Sequence, residues 1–284
     1  MKLRLIMLAM AAVCCAVPTL GQAQEACNVG IWYPYSSSEG VPPISAFDAR
    51  GLNASFINGD LTNAELDTYD VLFIGRNGTG NWGGDNVAIT DIDALINWVN
   101  TGGGIVSEST SPVYESDAVK GQPWSSRISE VLGVTGDQSC CDNGVSDLTI
   151  TITDPAHPMA QGVSASFTLT GTHASNLSSA IDNGKNPTAV QVGTTNGNPI
   201  IASQYGAGYG VYFPAAVGYQ GMDWENNPDY ENLFLNGIQY ACSGGGGGGI
   251  VQVTVPVPTM SPTRLTALMI LVLAIGLVFV RRQT

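Results

Sequence analysis

Positive charge is scarce in this sequence. Lys and Arg number 10 against 23 Asp and Glu among 284 residues, a net charge of −13. Half of the cations sit at the two ends of the chain. Every acidic residue lies between Glu25 and Glu231, where the basic residues are Arg50, Arg76, Lys120, Arg127 and Lys185; 23 carboxylates against five cations leave that region at −18. Such a surface repels phosphate backbones, which argues against nucleic acid as a partner. Other absences narrow the chemistry. No CxxC pair occurs, so the spacing of a structural zinc site is missing. No Lys-Ser or Lys-Thr follows the glycine-rich loop Asn77 to Gly84, which removes the phosphate cradle of a P-loop. The oxygen-rich stretch Asp223 to Asn232 lacks the alternating carboxylates and glycine of a calcium loop and reads as a solvated helix start. No internal repeat is visible. We expect no metal and no cofactor.

What is present is organised around Tyr69 to Ser109. Val71, Leu72, Phe73 and Ile74 form a continuous apolar run, the pattern of a strand covered on both faces. Thr90 can cap a helix whose buried stripe is Ile92, Leu95, Ile96 and Val99, with Asp91 and Asp93 at its positive end. Gly102, Gly103 and Gly104 stop that helix, and a strand begins at Ile105 and Val106. The unit is a βαβ crossover, so a right-handed α/β sandwich is expected.

Around it, Asn28 to Tyr33 reads as a first strand, and Pro42 to Gly51 as a short helix packed through Ile44, Phe47 and Ala49 or its neighbours. Ala54 to Ile57 gives a second strand, and Leu61 to Thr68 a short helix or turn. Ser111-Pro112 can open another short helix, and Gly121 to Asn143 reads as loop. From Leu148 the pattern changes: Leu148, Ile150 and Ile152 alternate with threonines, as in a half-exposed strand. Strands follow near Phe167 to Thr170, Thr188 to Val192, Pro199 to Tyr205 and Gly210 to Ala215, with Asn196-Gly197 as a hairpin turn. A last helix starts with Asn227-Pro228 and buries Tyr230, Leu233, Phe234 and Ile238. The expected fold is flavodoxin-like, a three-layer α/β sandwich with a mostly parallel sheet and antiparallel additions in the C-terminal half.

Both ends carry addresses. Lys2 and Arg4 precede the apolar run Leu5 to Val17, and Gly21-Gln22-Ala23 supplies small residues at a cleavage site, so residues 1–23 read as an export signal. Val13 before Cys14 disfavours a lipoprotein signal. Four cysteines remain after cleavage: Cys27, Cys140, Cys141 and Cys242, an even number in an oxidising compartment. Cys27 precedes the first strand, and Cys242 follows a final helix running antiparallel to the strands. Both belong at the N-terminal edge of the sheet, so a Cys27–Cys242 disulfide is expected. Cys140 and Cys141 either pair with each other or stay reduced.

The domain so bounded is 24–242, and 243–256 is a Gly-rich and Pro/Val linker. Val257-Pro258-Thr259-Met260 then precedes an apolar run, 265–280, closed by Arg281 and Arg282. Residues 257–284 resemble the IPTL-CTERM type of sorting signal, related to PEP-CTERM, found on exported proteins of Gram-negative bacteria. The resemblance implies an exosortase-like processing protease as partner, with the chain anchored in the inner membrane at least transiently and then at the cell envelope or surface. The apolar helix spans only about 24 Å of a core about 30 Å thick, and the arginines hold its end in the cytoplasm. A plain tail anchor is the simpler reading.

The segments YDVLFIG, the helix ending in GGG before a strand, DPAHPMAQG, GAGYGVYFPAA and NLFLNGIQY occur in the order seen in the class I glutamine amidotransferase-like superfamily. The likeness is strongest to its ThuA-like members and covers Cys27 to Cys242. The superfamily's enzymes place a catalytic cysteine after the strand matching Gly104 to Glu108, with a late histidine and a carboxylate. Here that position holds Ser109, flanked by Ser107 and Ser111. The resemblance implies a domain without the catalytic cysteine, and a binding or surface-structural role. The alternative is a serine hydrolase with Ser109 as nucleophile, His157 or His173 as base, and Glu108 or Asp223 orienting it. The loop with Asn81 and Trp82 follows a parallel strand at the edge where α/β sheets bind ligands, and is a candidate for stacking an envelope glycan; an ordinarily packed tryptophan is the plainer reading.

If the tail is a sorting signal, mass spectrometry of the mature protein should find a C-terminus near Thr259. An intact Arg282 in the membrane fraction would instead establish simple anchoring.

Overall fold

A computed structural model of the chain describes residues 26–32, 41–57, 62–75, 92–108, 124–136, 142–176, 179–216 and 224–243. All of them belong to one unit, Met1–Val251. Residues 1–25 and 244–284, which include the segments read above as export and sorting signals, lie outside the described residues, as do Asn81, Trp82, Thr90, Ser109 to Pro112, Cys140 and Cys141.

The strands are β1 (Cys27–Trp32), β2 (Leu52–Phe56), β3 (Val71–Ile74), β4 (Gly104–Glu108), β5 (Val134–Gly136), β6 (Asp142–Ile152), β7 (Ser166–Asn176), β8 (Ser179–Ile181), β9 (Val190–Thr195), β10 (Asn198–Tyr205), β11 (Gly208–Phe213) and β12 (Ala215–Ala216). The helices are α1 (Ile44–Asp48), α2 (Asn63–Leu66), α3 (Ile92–Asn100), α4 (Trp124–Leu132) and α5 (Pro228–Cys242). Ten strands form one sheet in the order β12-β7-β6-β9-β10-β11-β4-β3-β1-β2, and β5 pairs with β8 apart from it. Strands β2, β1, β3, β4 and β11 are mutually parallel. From β11 outward every pairing is antiparallel. The expected parallel majority is therefore corrected to a mixed sheet, its antiparallel half slightly the larger among the described residues. The whole is a mixed α/β sandwich with helices on both faces of the sheet.

Alternation along the strands feeds two cores. Val29 and Ile31 of β1, Val71 and Phe73 of β3, Val106 of β4, and Val211 and Phe213 of β11 face α5 and α1. Trp32, Leu72, Ile74, Ile105 and Tyr212 face α3 and α4. The helix stripes match: Ile92, Leu95, Ile96 and Val99 of α3 are buried, as are Tyr230, Leu233, Phe234 and Ile238 of α5. Phe234 makes edge contacts with Phe47 and Phe73 and stacks on Phe213. In α1 the apolar partner of Ile44 and Phe47 is Ala46, while Ala49 is exposed.

Gly104 needs its missing side chain. A Cβ there would lie 2.5 Å from the carbonyl oxygen of Ala241, so α5 is seated directly on the first residue of β4. The stretch expected as loop, Gly121 to Asn143, instead contains α4 and β5. Its stripe Ile128, Val131 and Leu132 is fully buried, and Val134 follows into the same core. Serines and charges around that short stripe hide its period.

Cys27 and Cys242 form a disulfide, with Cα atoms 6.1 Å apart across 215 positions of sequence. It ties the first residue of β1 to the last of α5. Removing it, by Cys27→Ser with Cys242→Ser or by reduction, should lower the unfolding free energy by about 2–5 kcal/mol, read from urea denaturation with and without reductant.

Candidate functional site

In open α/β sheets ligands bind beyond the carboxyl ends of the parallel strands. Here that edge is formed by Trp32, Ile74 with Ser107 beside it, and Glu108 opposite Phe213. Glu108 is 2% exposed and Ser107 fully buried. As neighbours on one strand they face opposite sides of the sheet. Ser107 points with Ile105 into the α3–α4 core, and its Oγ has no hydrogen-bond partner among the described residues.

Glu108 points with Val106 toward α5. There Tyr230, fully buried, feels its charge: burial pushes the phenol well above its ordinary range, and Glu108 pushes the same way. Tyr230 stacks on Trp224 at 5.6 Å and 28°, and Trp224 lies 5.6 Å from Phe234. Trp224 belongs to a 3-10 turn, Trp224–Asn226, that leads through Asn227 into α5. The N-terminal end of α5 thus lies at the same edge as the buried carboxylate. Glu108 was legible as a candidate; Trp224 and Tyr230 were not, because one reads as a solvated helix start and the other as an ordinary stripe residue.

The two histidines are placed differently. His157 precedes a 3-10 turn, Pro158–Ala160, and its Nδ1 accepts the backbone N–H of Met159 at 3.2 Å. Its ring lies 4.9 Å from Tyr240, which lies 4.9 Å from Tyr209. Tyr209 pairs with Gly104, at the start of β4, so His157 sits at the N-terminal edge, the length of β4 away from Glu108. It is a turn cap. His173 lies on β7, three residues before Asn176, which pairs with Ala215 just past Phe213. The backbone of His173 therefore approaches the C-terminal edge.

The oxygen-rich stretch is spent on structure. Asp229 accepts the backbone N–H of Ser164 at 3.0 Å, and Asn232 accepts a hydrogen bond from Arg50. Arg50 also donates to Asn236 at 2.9 Å, while Asn236 donates to the carbonyls of Met159 and Gln161. Among the described residues no three His, Cys, Asp or Glu gather as a metal site.

No protein-family model matches the chain, and no curated protein does. Solved structures do. A cytoplasmic protein of Salmonella typhimurium superposes with a TM-score of 0.54 at 17% identity, covering 76% of this chain and 98% of that one. A second cytoplasmic protein, from Salmonella typhimurium LT2, gives 0.52 at 15%, covering 74% and 97%. A ThuA-like protein from Bacteroides uniformis gives 0.47 at 14%, covering 79% and 94%. What the two Salmonella proteins share with this chain is the fold. At such identities nothing about chemistry travels with it.

The His157 cap makes a pH prediction. Burial lowers its pKa, opposed in part by Asp154. The unfolded chain, with an ordinary histidine near about 6.5, takes up the proton first as pH falls. The contribution of neutral His157 is thus complete above about pH 6.5 and is lost as pH falls through the lowered folded value. The urea midpoint should drop between about pH 7 and about pH 5, and His157→Gln should show a smaller drop than the native chain.

Proposed function

We propose that this chain is a ThuA-like domain of the glutamine amidotransferase-like superfamily that binds instead of catalysing, exported and held at the cell envelope by its C-terminal signal. The order of its sequence motifs, together with the mixed α/β sandwich, supports the superfamily. One observation carries the non-catalytic part. At the end of β4, beside position 109 where the superfamily's enzymes keep their cysteine, the chain has a buried Glu108 turned toward Tyr230, while His157 caps a turn at the opposite edge. A carboxylate buried on the α5 side of β4 is poorly placed to orient a histidine for Ser109.

The pairing of β7 with β12 favours one second reading, a serine hydrolase using Ser109 with His173. Export, anchoring and exosortase-type processing rest on the sequence of residues 1–23 and 257–284. A fluorophosphonate probe separates the two readings. The purified protein is expected to stay unlabelled; labelling that disappears in Ser109→Ala would overturn the binding reading in favour of the hydrolase.

A further inference from the structure

Partly exposed aromatic side chains gather at one edge of this domain. Tyr240, two positions before the bridging Cys242, has its ring 4.9 Å from His157 and 4.9 Å from Tyr209. Tyr209 pairs with Gly104, and the ring of Trp98 fills the space that a Cβ on the preceding Gly103 would take. These contacts lead from the α5 face, over the glycines at the head of β4, to the α3 face. All four rings are partly exposed. At the opposite edge Trp32, Phe213, Trp224 and Tyr230 are each 7% exposed or less.

Charge singles out the same N-terminal edge. Residues 94–107, 198–213 and 232–243, which build it, contain no Asp, Glu, Lys or Arg, in a domain of 23 carboxylates and five cations. Asp70 and Asp154 flank it, and each accepts a backbone N–H, from Asn28 at 2.7 Å and from Ala156 at 3.1 Å. Asn100, Thr101 and Ala207 are exposed beside them. With no Lys or Arg in these segments, the edge has no electrostatic hold on nucleic acid or on an anionic lipid surface. Tyrosine and tryptophan, each an apolar body with a polar tip, favour the zone where lipid headgroups meet hydrocarbon. The chain leads to the same partner. It leaves the domain at Ser243, next to the bridge, and the apolar run 265–280, the segment read as a membrane anchor, begins 22 positions later. A tethered domain needs only weak contacts to stay on a surface.

We propose that the N-terminal edge of the sheet, through Trp98, Tyr209 and Tyr240, lies on a zwitterionic lipid–water interface. The surface rests on the envelope-anchoring reading above and adds which end of the domain meets the membrane. The C-terminal edge, with Glu108, then faces away from the lipid.

The test is quenching of tryptophan fluorescence by bromine on lipid acyl chains, which acts only near contact. The full chain is reconstituted into phosphatidylcholine vesicles with and without acyl chains brominated close to the headgroup. Of its five tryptophans, Trp98 is read as the difference between the native chain and Trp98→Phe, a variant that keeps a ring over Gly103. The Trp98 share is expected to lose most of its intensity to the brominated lipid. Thr101→Glu, at an exposed position of the same edge, keeps all five tryptophans and should recover that emission by bringing a charge to the interface. A Trp98 that stays bright beside brominated lipid, or quenching undiminished in Thr101→Glu, overturns the surface. So does a Trp98 shielded from acrylamide yet still bright, which would mean that a second copy covers the edge. A chain left behind when the vesicles are floated overturns the anchoring reading and the surface with it, whereas a floating chain with a bright Trp98 overturns the surface alone.

Discussion

A parallel strand buries side chains on both of its faces, and the architecture depends on covering both at once. The run Val71 to Ile74 makes the demand plain: Val71 and Phe73 enter one core, Leu72 and Ile74 the other, and none is more than 2% exposed. On one side α3 and α4 answer it. On the other the long helix α5 lies across the parallel strands, close enough to β4 that only glycine fits beneath Ala241. Where the sheet turns antiparallel, β6 and β7 relax to alternation. Leu148, Ile150 and Leu169 are buried while Thr149, Thr151 and Thr168 face water.

Elements whose signal is local were legible in the sequence. The βαβ unit announces itself through an unbroken apolar run, a helical stripe and three glycines, and α5 through Asn-Pro at its start and four apolar residues at helical spacing. The disulfide followed from topology: once α5 is known to run against the strands, its last residue must come to the edge where β1 begins. What stayed hidden depends on distant partners. The helix α4 has only Ile128, Val131 and Leu132 as a stripe, diluted by Ser125, Ser126, Arg127 and Glu130, and becomes a helix because β10 and β11 offer it a surface. Strand β8 is three residues that pair with β5 across more than forty positions.

The candidate site divides in the same way. Glu108 stands out in sequence because an acid ends an apolar strand. That it faces the α5 side of the sheet depends on which way β4 alternates, and that is fixed by the seating of Gly104 under α5. Trp224 sits among Asp, Glu and Asn residues, a context that suggests water on all sides. Its burial comes from the aromatic group of Phe213, Tyr230 and Phe234, drawn from two elements separated in the chain.

The Cys27–Cys242 bridge bears on more than stability. It gathers the entry and the exit of the folded chain at a single point on the N-terminal edge. The 15-residue α5 then runs about 22 Å from that point toward the C-terminal edge. Both ends of the described domain therefore meet at the edge opposite the carboxyl ends of the parallel strands, and the C-terminal edge carries neither.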